Sequence, residues 1–139
     1  MHGLPGLAFA KEDEAMTKTV KDMLAVANAE VPRISGSEAK ALSGQAQVML
    51  LDIRDGSEVA VSGKAKGAVH VSRGLLEFRA DPESPLHDAA FDRGKTIILY
   101  CASGGRAALA GKTLKDMGYT DVRNLGGFKD WVEAGGEVE

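Results

Sequence analysis

Thr96-Ile97-Ile98-Leu99-Tyr100-Cys101-Ala102-Ser103-Gly104-Gly105-Arg106 is the stretch on which the reading of this chain turns. Residues Thr96 to Tyr100, with β-branched Thr96, Ile97 and Ile98 ahead of Leu99 and aromatic Tyr100, are the strongest strand signal in the chain. Beyond the glycine-containing turn, Ala107, Ala110, Leu114 and Met117 share one helical face, and Gly118 supplies the stop. The small residues on that face let the helix sit close to a sheet. A strand running through a tight turn into such a helix is one βα unit.

Outward from this unit the same alternation recurs. Val48 to Ile53 is another short apolar run, Ala68 to Val71 a second strand, and Asp121 to Leu125 a last one. Ser35-Gly36-Ser37-Glu38 and Asp55-Gly56-Ser57-Glu58 have capping-box spacing and open short helices, ended near Gly44 and Gly63. Gly74 to Arg79 reads as a helical turn, and Ser84-Pro85 as a cap with proline at the first helical position. Gly126-Gly127 opens a final helix carrying Phe128, Trp131 and Val132. Near the start, Val20, Met23, Leu24 and Ala27 recur at helical spacing between Thr17 and Ala29, and Pro32 ends that element. Residues 1–15 read as a flexible arm, with Met16 an alternative start. Strands alternating with helices at these lengths imply an α/β layered domain on a mainly parallel sheet.

A length of 139 residues suits one compact core. Hydrophobic residues at 44% and charged residues at 27% are the balance of a soluble globule. The formal charge of −3 argues against a nucleic-acid surface, because phosphate binding needs clustered Lys and Arg. No apolar run approaches the ~20 residues of a membrane span, and the start lacks the basic region of a signal peptide, so a cytoplasmic protein is expected. Cys101 is the single cysteine, so no internal disulfide and no multi-cysteine metal site is expected. His2, His70 and His87 are scattered. No metal and no cofactor is expected.

The chemistry concentrates at Cys101. Ligands in open α/β sheets sit at the carboxyl ends of strands. The first-turn amides of a helix lack internal partners and favour anions, so a thiolate there is stabilised. Gly104 and Gly105 allow positive φ, which lets successive N–H groups point into one concavity. Arg106 adds a cation. The cradled group would be a thiolate, the outer sulfur of a persulfide, or a bound oxyanion. The competing reading is a buried, inert cysteine and a solvated arginine.

Three stretches in order resemble the rhodanese-like family: Leu51-Asp52-Ile53-Arg54 with Glu58 and then Gly67 to Val71; Leu99 to Ala107; and Leu125 to Trp131. The resemblance spans about residues 34–138. It implies a three-layer rhodanese-like domain over 34–139, with a mainly parallel five-stranded sheet and helices on both faces; the helical spacing before it marks off an N-terminal helix over 16–33. It also implies a sulfurtransferase with Cys101 as sulfur carrier and Ala102, Ser103, Gly104, Gly105 and Arg106 as the binding loop. Where the family usually has Gly-His before the strand at Ala68, this chain has Gly63-Lys64.

The fold also resembles that of cell-cycle dual-specificity phosphatases. Those enzymes place five residues between Cys and Arg; here four intervene, which tightens the amide ring around one sulfur atom and crowds a phosphoryl group. Asp81 and Asp88 are the candidate general acids, and read as capping or solvated residues. The expected chemistry is double displacement: Cys101 takes sulfane sulfur from a small anionic donor such as thiosulfate and passes it to a thiol or a partner protein. A non-catalytic binding module is the third reading. Among supporting residues, Asp52 either bonds the loop, pairs with Arg106, or is structural. Arg73, with Glu77, either lines the cleft mouth or lies on a solvated face, and Arg54 and Glu58 are expected to pair. Oligomeric state stays open.

Overall fold

The structure is a computed structural model that describes residues 17–139. The arm expected over 1–15, and Met16, lie outside the described residues.

Helix α1 (Val20–Glu30) starts where Thr19 and Asp22 cap each other reciprocally at 3.1 Å. Burial on α1 is confined to Ala27, with Val31 buried just beyond its end, while Val20 and Met23 are exposed rather than packed as their spacing implied. The helix α2 (Gly36–Leu42) begins at the expected capping box, Ser35 with Glu38. Strand β1 (Val48–Asp52), helix α3 (Gly56–Ser62) and strand β2 (Val69–His70) follow. A 3-10 turn over Arg73–Leu75 then leads into helix α4 (Leu76–Ala80). The strand β3 (Thr96–Cys101), helix α5 (Gly105–Asp116), strand β4 (Asp121–Gly127) and helix α6 (Phe128–Glu133) complete the order.

The sheet is parallel throughout, in the order β2-β1-β3-β4. It has four strands, not five. A fifth begins beside β4, where Ile34 N–H donates to Asn124 O at 3.1 Å and Asn124 N–H donates to Pro32 O at 2.9 Å. It cannot lengthen, because Pro32 has no N–H and Ser35 already caps α2.

One further expectation needs correction. No helix follows Ser84-Pro85; Ser84 Oγ accepts the Leu86 N–H, and Asp88 Oδ1 the Ala90 N–H, so local side-chain bonds hold turns instead. Gly126-Gly127 ends β4 and opens α6 as expected, with Gly127 as the cap whose N–H donates to Asp130 Oδ2 at 2.8 Å.

Alternation along the strands divides the core into two layers. Met49, Leu51 and Ile53 with Ile97, Leu99 and Cys101 face α5 and pack on Ala107, Ala110 and Leu114. Leu50, Ile98 and Tyr100 face the other way, against Ala39, Leu125 and Trp131. This parity decides the site. Cys101 projects to the α5 face, whereas Asp52, in register with Tyr100, projects to the opposite one.

Candidate active site

Cys101 is the last residue of β3 and is 1% exposed. After it the chain turns through Ala102 and Ser103, both exposed, and reaches Gly104 at φ 104°, a left-handed conformation that an L side chain adopts only with strain. A Cβ at Gly104 would also lie 3.2 Å from the Gly126 Cα. Glycine there lets the chain reverse into α5 directly beneath the cysteine.

Two backbone amides converge on the sulfur. Gly104 N–H donates to Cys101 Sγ at 3.0 Å, and Ala107 N–H at 3.4 Å. Ala107 lies in the first turn of α5, where an amide normally waits for a capping side chain. The sulfur takes that place. Of residues 102–106, only Gly104 sends its amide to Sγ; Ala107, outside that stretch, supplies the other. Both amides present their partial positive charge to this one sulfur atom.

Arg106 closes the loop. Its Nη1 and Nη2 donate to the two carboxylate oxygens of Glu58, each at 2.8 Å. The hydrogen bonds from Arg106, with help from the Asp55 N–H, bring the Glu58 carboxyl down to about 2. Those same bonds raise Arg106 further above its ordinary value. The expected pairing of Glu58 with Arg54 does not form. Instead Arg54 turns to Asp52, with Nη2 to Oδ2 at 2.7 Å and Nε to both oxygens at 3.1 Å.

Asp52 neither touches the loop nor pairs with Arg106. It is 0% exposed, held by Arg54 and by the Tyr100 hydroxyl at 2.7 Å. Burial raises the Tyr100 phenol, which keeps its proton for that bond. The unit is sealed by Arg54 Nη1 to Ser62, Nη2 to the Gly63 carbonyl, and the Phe128 ring 4.4 Å from the guanidinium. Arg73 pairs with Glu77 at 2.9 Å and reaches Thr113 at 3.3 Å along α5. Asp81 and Asp88 accept backbone N–H bonds in turns.

The sequence reading missed Asn124. This buried side chain donates from Nδ2 to the Gly104 carbonyl at 3.0 Å and accepts the Gly126 N–H at 2.8 Å, tying the loop to β4. A polar amide inside an otherwise buried strand was the available signal. No helix among the described residues is long and apolar enough to cross a membrane.

A family model described as a rhodanese-like domain matches residues 35–134. The chain is 27% identical over 136 residues to a thiosulfate:glutathione sulfurtransferase of Saccharomyces cerevisiae, covering 89% of this chain and 88% of that one. It is 33% identical over 103 residues to a tRNA uridine(34) hydroxylase of Cytophaga hutchinsonii, covering 73% of this chain but 32% of that protein's length. A solved structure from Rhodopseudomonas palustris, of a protein of unknown function described as a possible tyrosine phosphatase, is 42% identical. It superimposes with a TM-score of 0.82 over 89% of this chain and 96% of that one.

Proposed function

As the chain belongs to the rhodanese-like domain family, we propose that it is a sulfurtransferase carrying sulfane sulfur on Cys101. The observation that carries this reading is the pair of N–H groups, from Gly104 and Ala107, aimed at a single sulfur atom. Cys101 thiolate attacks the outer sulfur of thiosulfate; the new S–S bond forms as the old one breaks, and its electron pair leaves with sulfite. The resulting persulfide anion keeps one negative charge at the loop, where the helix N-terminus favours it. An acceptor nucleophile then removes the outer sulfur and regenerates the thiolate.

Cyanide serves as acceptor in the test tube, and a thiol or a partner protein in the cell. The name of the yeast relative makes glutathione the thiol to try first. Cys101 is the only cysteine, so the acceptor thiol comes from outside, and a lone free thiol suits a reducing cytoplasm.

Phosphatase chemistry is the second reading, favoured by the likeness to the Rhodopseudomonas protein, itself a possible tyrosine phosphatase. Against it stands the short loop, with four residues between Cys101 and Arg106. Intact mass spectrometry after thiosulfate treatment tests the proposal: wild type gains one sulfur atom, and Cys101→Ser gains none. A wild-type protein that stays unmodified at millimolar thiosulfate, with its thiol shown free by alkylation, removes the persulfide reading.

A further inference from the structure

Arg106, the cation that ends the loop, has its charge met by Glu58 through both terminal nitrogens. It is therefore a poor attractor for a doubly charged donor. A different guanidinium lies against the loop from outside. A Cβ placed on Gly104 would stand 3.3 Å from Arg33 Nη1, and one placed on Gly126 would collide with Arg33 Nη2. Arg33 spreads over these two bare glycines, is solvent-exposed, and makes no ion pair among the described residues. The carboxylate beside it is Asp130, which forms no ion pair with Arg33 but keeps its negative charge while its Oδ2 accepts the Gly127 N–H at 2.8 Å.

Its backbone is fixed. Arg33 bridges to Asn124, the residue whose side chain holds the Gly104 carbonyl, so the cation and the loop share one anchor. The family match begins at Ser35, two residues later, so Arg33 lies just outside the matched residues.

Distance permits a role in recognition. The Gly104 N–H that donates to Sγ at 3.0 Å is two covalent bonds from the Cβ position that neighbours Arg33 Nη1. That path puts the guanidinium within about 9 Å of the sulfur. In a near-attack arrangement the sulfane sulfur stands about 3–3.5 Å from Sγ, and the sulfonate sulfur about 2 Å further out. A donor that approaches past Gly104 carries its sulfonate oxygens toward that exposed guanidinium, whose planar fork suits two oxygens at once.

We infer that Arg33 is the specificity residue for anionic sulfur donors, receiving the sulfonate end of thiosulfate while the sulfane sulfur meets Cys101. The inference rests on the persulfide reading of Cys101. Two reagents of similar shape separate the two ideas, because iodoacetate is anionic and iodoacetamide is neutral, and both alkylate the thiolate without sulfur transfer. Arg33→Ala is expected to lower kcat/KM for thiosulfate about threefold to tenfold, mainly through KM. It also lowers the iodoacetate-to-iodoacetamide rate ratio about threefold. Arg33→Lys restores most of both losses, and Arg33→Glu deepens them. Equal losses with both alkylating agents make Arg33 a support for the loop and overturn the inference, as does an unchanged ratio in both Arg33→Ala and Arg33→Glu. Should wild type take no sulfur from thiosulfate while the ratio still falls in Arg33→Ala, the persulfide reading fails and anion selection by Arg33 stands.

Discussion

Glu58 grips Arg106 with both carboxylate oxygens at 2.8 Å, joining the first turn of α3 to the first turn of α5 across the mouth of the Cys101 loop. The pair is partly exposed, at 38% for Arg106 and 33% for Glu58. Solvent screening therefore limits it to about 0.5–1 kcal/mol of stability. Its larger effect is geometric, since it fixes the residue that ends the loop.

Glu58→Gln should therefore lower the sulfur-transfer rate more than the melting temperature. A loss of about threefold to tenfold in kcat, with Tm moved by only a few degrees, is the expected result. The pH dependence has a definite sign. Glu58 titrates at about 2 in the folded chain, below the ordinary carboxylate value of 4.5. Its stabilisation is complete above 4.5 and disappears as pH falls from there toward 2. The stability gap between wild type and Glu58→Gln should accordingly be constant from pH 7 to 5 and close below pH 4, as measured by urea unfolding at each pH.

Asn124→Ala should damage both stability and rate. The change strands the Gly104 carbonyl and the Gly126 N–H, two buried groups worth about 1–3 kcal/mol each when unpaired. Asn124→Asp is the sharper probe. It keeps an acceptor for Gly126 but turns a carboxylate oxygen toward the Gly104 carbonyl, which repels the residue whose amide holds Sγ. Denaturant midpoints and thiosulfate turnover together check this, and an Asp variant as active as wild type would show that the loop holds its shape without Asn124.

Asp52→Asn should do the opposite, destabilising the fold while sparing chemistry. Removing one partner of a buried ion pair costs about 3–5 kcal/mol, because Arg54 is left charged and uncompensated. Yet Asp52 faces away from Cys101, toward Tyr100 and the second core layer. Turnover per folded molecule, corrected by the folded fraction from circular dichroism, should stay within about twofold of wild type. A hundredfold loss would mean that the buried unit reaches the loop after all.

The elements that were legible are those specified locally. The strand Thr96–Cys101, the helix after it, and the Ser35–Glu38 cap are all written within a few residues of themselves. What the sequence hid was long-range pairing. Glu58 and Arg106 are 48 positions apart, and Gly104 and Asn124 are 20 apart, so no periodicity joins them. The face of Asp52 was one step from legible. Parity makes it follow Tyr100, but only once β1 and β3 are set in register, and register is a property of the sheet rather than of either strand. Ser84-Pro85 misled because a cap and a turn use the same side-chain bond, and only the following residues decide between them.

Loop length provides the remaining prediction. The Gly104 and Ala107 amides meet Sγ itself at 3.0 and 3.4 Å, so the cradle closes at the depth of one sulfur atom. A phosphoryl group on that sulfur would need donors aimed at three oxygens further out, and an arginine free to fork onto two of them. Here Arg106 forks onto Glu58. Wild type should therefore turn over aryl phosphates at least a hundredfold more slowly than it moves sulfur from thiosulfate to cyanide, a difference of about 2.7 kcal/mol in barrier. Inserting one glycine after Ser103 should widen the ring, weaken the bonds to Sγ, and shift the ratio toward phosphate by about tenfold or more. Steady-state rates of both reactions on both proteins supply the test, with circular dichroism to show that the insertion folds. A native enzyme that prefers aryl phosphate, or an insertion that slows both reactions alike, would mean that the oxygens of the substrate are held by groups outside this loop.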